Sequence, residues 1–291
     1  MPNRTSFLTV LLSLCVWSIP SPATSQALVP YTLRLNPDQL EQTGLGLIEE
    51  AAQLTRFQQY QLALPRAELA TQLAPKSYQT WALLGSLYIQ VDRIDEGVAA
   101  LEQAQRLEPE NAPVRFVLGE AYFRNGKYQA AIDQIEAGLK VRSDVPGALF
   151  DLGNAYYKLG KYDQAITQYE KAFAQEKNLW PAINNIGLVH YEMGDIKGAI
   201  KKWQEAIKID EKAAEPILAM AVALYTQGQR QEALAMGETA LELDGRYADL
   251  EFLKENLWGD RLLNDTQKFL DTPQMQATIA QLEDSPASVS P

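Results

Sequence analysis

The chain of 291 residues has one cysteine, Cys15, and one histidine, His190. Histidine-based zinc sites, Cys/His dyads and disulfide frameworks all need more of these residues, so most side-chain site chemistry is excluded at the outset. Basic charge is also scarce. Lys and Arg number 26 against 37 Asp and Glu, the net charge is −11, and no polybasic run occurs. Broad electrostatic attachment to nucleic acid or anionic lipid is thereby disfavoured. The one long apolar run, residues 7–19, falls short of the ~20 residues that span a bilayer. GxGxxG, P-loop, HExxH and nucleophile-elbow patterns are all missing, so no cofactor or metal is expected. What is present, at 46% hydrophobic and 22% charged, is the composition of a soluble folded chain. The chemistry left to it is recognition.

The amino terminus has the outline of a secretory signal peptide. Arg4 gives a weakly positive start, residues 7–19 are mostly apolar, and residues 20–27 are short-chained and helix-breaking. Cleavage after Ala27, with Ser25 three places back, is favoured over cleavage after Ser25. Leu14 before Cys15 speaks against a lipoprotein, whose signal wants a small residue there. Export to a periplasm or thylakoid lumen follows as an expectation, with membrane contact only if residues 7–19 stay as an uncleaved anchor.

Internal repetition is the dominant signal. The segment from Trp81 to Tyr88 aligns with those at Leu118–Tyr122, Leu152–Tyr156 and Ile186–His190 at one spacing of 34 residues. The same step puts Gly126, Gly160, Gly194 and Gly228 in one column and Ala131, Ala165, Ala199 and Ala233 in another. A third holds Ala70, Ala104, Gly138, Ala172, Ala206 and Ala240, and Pro75 and Pro109 close their repeats. Six units run without insertion over residues 44–247.

This pattern resembles the tetratricopeptide repeat (TPR) family, and residues 153–166 alone nearly reproduce its consensus. The resemblance implies an all-α fold, a right-handed α-solenoid of about six TPR helix pairs with C-terminal capping helices. The units are 44–77, 78–111, 112–145, 146–179, 180–213 and 214–247. The first is degenerate, with Leu47, Ala51 and Leu54 in the Trp, Gly and Tyr columns, and Pro65 predicts a kink or late start in its second helix. The sixth drifts, with Ala221 for Gly, Leu224 for Tyr and Gly237 for the usual aromatic, as capping units do. Ile135, Tyr169 and Trp203 are expected to pack toward the following repeat. Residues 1–27 form the signal peptide, and 28–43 a linker and the start of the first helix. Residues 248–283 supply capping and tail helices, with a solvating helix over 248–258, and 284–291 are a disordered tail.

In this family the first helices line a concave groove, and the resemblance maps a candidate partner surface onto Phe116, Glu120, Phe123, Arg124, Phe150, Asp151, Asn154, Tyr157, Lys158, Asn184, Asn185, Tyr191 and Tyr225. Phe123, Tyr157, Tyr191 and Tyr225 would form an aromatic ladder, either exposed for contact or packed on neighbouring helices. Asn154 and Asn185, which donate and accept, suit the backbone of an extended peptide. They resemble two members of the clamp by which some TPR domains grip acidic chaperone tails. The basic members are replaced by Phe150, Glu215 and Ala219, so no such tail is expected. Glu120 and Asp151 would be neighbours on a solvated rim, with small pKa shifts and with Arg124 and Lys158 holding both ionised. His190 replaces a core tyrosine and is expected to be buried.

The expected function is a non-catalytic scaffold that binds a protein or extended peptide segment in the groove, in assembly or quality control of an envelope or thylakoid complex. The Gln-rich first repeat, soluble tail and export signal resemble TPR proteins of cyanobacteria. The alternative is a glycan-binding or glycan-processing accessory using the aromatic groove.

Overall fold

A computed structural model describes residues 36–283. The expected signal peptide, the expected linker up to residue 35 and the expected tail of residues 284–291 lie outside them. Fifteen α-helices and a single 3-10 turn make up the described residues, without a strand. The first twelve form six antiparallel pairs: α1 (Pro37–Arg56) with α2 (Tyr60–Leu73), α3 (Tyr78–Gln90) with α4 (Ile94–Leu107), and α5 (Ala112–Arg124) with α6 (Tyr128–Val141). They continue with α7 (Pro146–Lys158) and α8 (Tyr162–Gln175), α9 (Trp180–Glu192) and α10 (Ile196–Ile209), and α11 (Ala214–Thr226) and α12 (Arg230–Leu243). No described helix is long and apolar enough to cross a membrane.

Each pair turns on one residue in the left-handed region. Gly126, Gly160, Gly194 and Gly228 supply it with φ of 68° to 86°, while Gln58 and Asp92 adopt the same conformation in the first two units. That backbone favours glycine because a Cβ crowds the following carbonyl. Where the sequence suggests a kink or late start, α2 begins at Tyr60 and carries Pro65 inside it.

Close packing within a pair follows a size rule. A Cβ on Gly153 would lie 2.5 Å from Cε1 of Tyr169, and one on Gly119 would lie 2.5 Å from Cγ1 of Ile135. Trp203 covers Gly187 in the same way, and Leu101 covers Gly85. The large residue of each second helix therefore lies over the glycine of its own first helix, and so packs within its unit as well as toward the next. Units are also tied by a repeated hydrogen bond from a first-helix tyrosine to a glutamate one unit back: Tyr88 to Glu68, Tyr122 to Glu102 and Tyr156 to Glu136. His190 ends that ladder. It is not core: its side chain keeps 24% of its exposure, and Nδ1 lies 3.0 Å from Oδ2 of Asp195, the residue that caps α10. The shorter imidazole reaches a local carboxylate instead of the previous unit.

After α12 the expected solvating helix over 248–258 is broken up. The chain makes a 3-10 turn (Gly245–Ala248), a six-residue helix α13 (Leu250–Glu255), and a left-handed residue at Leu257. It then forms α14 (Asp260–Leu270) and α15 (Pro273–Glu283). Helix α15 packs on α12, but α14 packs on α11 and α9, both first helices.

A groove partly filled by its own chain

First helices of successive units approach one another directly, α1 with α3, α3 with α5, α5 with α7 and α9 with α11, and more closely than second helices do. The first helices therefore lie on the inner side of the curve. Helix α14 lies on that inner side, held by backbone as well as side chains. Glu192 accepts from the backbone N–H of Arg261 (3.2 Å) and of Leu262 (3.0 Å), where a helix amino terminus offers unpaired donors. Tyr191 donates to Asp265 at 2.9 Å, and the indole N–H of Trp258 donates to Glu215 at 3.0 Å.

Phe269 explains the drift of the sixth unit. A Cβ on Gly237 would lie 2.6 Å from Cζ of Phe269, and the Phe269 ring meets Tyr225 edge-on at 5.4 Å. In earlier units this space belongs to Ile135, Tyr169 or Trp203. Here the aromatic comes from α14.

The candidate residues divide accordingly. Tyr191 is fully buried against Trp203 and beneath α14, and Tyr157 is also buried, its hydroxyl without a partner. Burial pushes both phenols well above the usual tyrosine range. They are wall, not exposed ladder. Phe116 is drawn onto Gly138 of its own second helix, and Tyr225 is taken by Phe269. Phe123 and Phe150 remain half-buried at the inner surface.

Asn154, Asn184 and Asn185 bond one another before any ligand. Asn184 donates to Oδ1 of Asn185 (3.2 Å), Asn185 donates to Oδ1 of Asn154 (3.1 Å), and Tyr169 donates to the same oxygen (2.8 Å). Glu215 lies close enough to Asn184 for the amide to offset part of its burial. The amides are thus partly committed to the fold.

Glu120 is exposed and Asp151 half-buried. The expectation of a small shift fails: burial first, and then the charge of Glu120, push the Asp151 carboxyl up to about 7. Arg124 does not hold it ionised, because its guanidinium turns back to the carbonyl of Ile89 and the carboxylate of Asp92, both at 2.9 Å. The Lys158 ammonium is exposed at its tip, and partial burial and nearby Lys254 lower its pKa.

Residues 247–257 and α14 together form a strap on the inner side, and between it and the groove wall lies a cavity of about 410 Å³. Phe123, Phe150, Trp180 and Tyr247 give it rings, Glu215 and Glu255 carboxylates, and Asn154 and Asn185 amides. Trp180 and Tyr247 had no place in the sequence-derived surface, and Glu215 entered it only as the residue in place of a basic clamp member. The only advance signal for an inner-side aromatic from the carboxyl terminus was the Ala221–Gly237 exchange.

Comparison with known proteins agrees with this architecture. A TPR repeat model matches residues 153–194 and 187–228, and a tetratricopeptide repeat model matches residues 78–111. A model of anaphase-promoting complex (cyclosome) subunit 3 matches residues 104–172. No curated protein sequence matches. Among solved structures, a MamA protein superposes with a TM-score of 0.54 at 24% identity, covering 59% of this chain and 94% of MamA. PilF of Pseudomonas aeruginosa gives 0.60 at 15% identity, covering 76% of this chain and 98% of PilF. YrrB, described as a TPR protein with an unusual peptide-binding site, gives 0.50 at 18% identity, covering 66% and 97%. Identities this low speak for the fold alone. With the 34-residue columns, the helix pairs and the matched repeat models in agreement, the chain is a tetratricopeptide repeat protein.

Proposed function

We propose that the chain is a non-catalytic scaffold that holds an extended segment of a partner protein against α3, α5 and α7. The observation that carries this reading is α14, a segment of the same chain seated on α9 and α11 through backbone donors, a tyrosine and an inserted phenylalanine. A surface that binds a peptide segment in cis has the chemistry to bind one in trans, and α14, seated on α9 and α11, leaves the first helices of the second to fourth units open. YrrB, of the same fold, is described by its peptide-binding site. The glycan alternative loses its support, since Tyr157 and Tyr191 are buried and a stacking ladder needs exposed rings. We place the scaffold, as an exported protein, in assembly or quality control of an envelope or thylakoid complex. That placement rests on the signal-like amino terminus.

The test is capture of a partner by the native chain, by a Phe123→Ala/Phe150→Ala variant and by Lys171→Ala. Lys171 is exposed on the second helix α8, in a crevice lined mainly by α6 and α8 with Leu149 and Leu152 of α7. Loss of capture only in the groove variant supports the reading. Loss only in Lys171→Ala moves recognition to the outer face.

A further inference from the structure

The cavity beside the strap is short of positive charge. Glu215 is buried, and no lysine or arginine is among the residues that line the space with it. The hydrogen bond that Glu215 accepts comes from a neutral group, the Trp258 indole. Glu255 adds a further carboxylate at the rim, where it is exposed. Phe123, Phe150, Trp180 and Tyr247 supply aromatic lining. Uncompensated negative charge and aromatic walls together describe a seat for a flat, multi-donor cation.

We propose that this cavity is a side-chain pocket for an arginine, or less tightly a lysine, of the partner segment, with Glu215 and Glu255 as counter-charges and Phe123, Phe150, Trp180 and Tyr247 as walls. It rests on the reading of the inner face as the seat of a partner segment. The guanidinium suits it better than an ammonium because its fork of donors can meet a carboxylate and an amide oxygen at once and its plane can lie on a ring. Burial without a counter-charge pushes the Glu215 carboxyl up to about 7, and an arriving cation would lower it again. The acidic balance of the whole chain, −11, favours encounter with such a segment.

The experiment uses three fluorescein-labelled nonapeptide pools, with neutral randomised flanks and a central arginine, lysine or citrulline, titrated onto the purified chain at moderate salt. The arginine pool is expected to bind at least tenfold more tightly than the citrulline pool, with lysine between them. Glu215→Gln should reduce the preference to within about twofold, and Glu255→Gln should reduce it partly. Should Glu215→Gln fail to fold, Glu255→Gln and Phe123→Leu take its place. Equal binding of all pools overturns the pocket and leaves the groove reading standing. No binding by any pool overturns both. A preference that survives in both glutamine variants puts the cation elsewhere and overturns the pocket.

Discussion

Asp151 shows how a single buried side chain departs from its sequence reading. Its position on a first helix marked it as a solvated rim residue, yet burial and Glu120 raise its carboxyl to about 7. A carboxyl whose pKa is higher in the folded chain than in the unfolded one favours folding while protonated, and that contribution is lost as pH rises from about 4 through 7. The effect is on the order of 4 kcal/mol. Asp151→Asn keeps the shape of the protonated form and cannot ionise. Melting temperatures should therefore be nearly equal for the two chains near pH 4.5, with the variant ahead by several degrees at pH 8. A constant difference across that range would show that Asp151 ionises freely. Asn154 departs in a second way. It looked like a ligand clamp, but its Oδ1 accepts from Tyr169 and Asn185, so Asn154→Ala should cost ~1 to 3 kcal/mol of stability even without a partner. Thermal unfolding of the isolated chain measures this directly.

At the scale of elements, the helix pairs were legible because their cause is periodic. A glycine in the first helix faces a large residue in the second, and the same pairing recurs every 34 residues from Gly85 with Leu101 to Gly187 with Trp203. The seat of the strap was not legible, because it is defined by a departure from the period. Ala221 and Gly237 read as the drift of a terminal unit, whereas they vacate the space that Phe269 fills. Irregular backbone over residues 245–258 gave no periodic signal either, and it carries Tyr247, Leu257 and Trp258 to the groove. Phe269→Ala should cost ~3 to 5 kcal/mol at this contact. Hydrogen exchange should rise in α14 and α15 while α3 to α8 keep their protection. Gly237→Leu should do the same by exclusion, since its side chain would occupy the ring's place. If exchange in α14 is unchanged in both variants, Phe269 is not what seats the strap.

At the scale of the whole molecule, contacts run mainly between neighbouring pairs, so stability is close to a sum of unit and interface contributions. Leu152, buried on α7, is a suitable probe. Leu152→Ala should cost ~2 to 5 kcal/mol and raise exchange most in α7, α8 and the adjoining pairs, with α1 and α2 little affected. The strap adds ties that skip a unit, from residues 256–270 back to α9 and to the wall near α7. It divides the inner face into a filled part and an open part, and the account places the partner on the open part. Hydrogen exchange of the complex with a captured partner, read helix by helix, tests this most directly. The account predicts new protection in α3, α5 and α7, with the second helices α4, α6 and α8 unchanged. Protection confined to those second helices would contradict it.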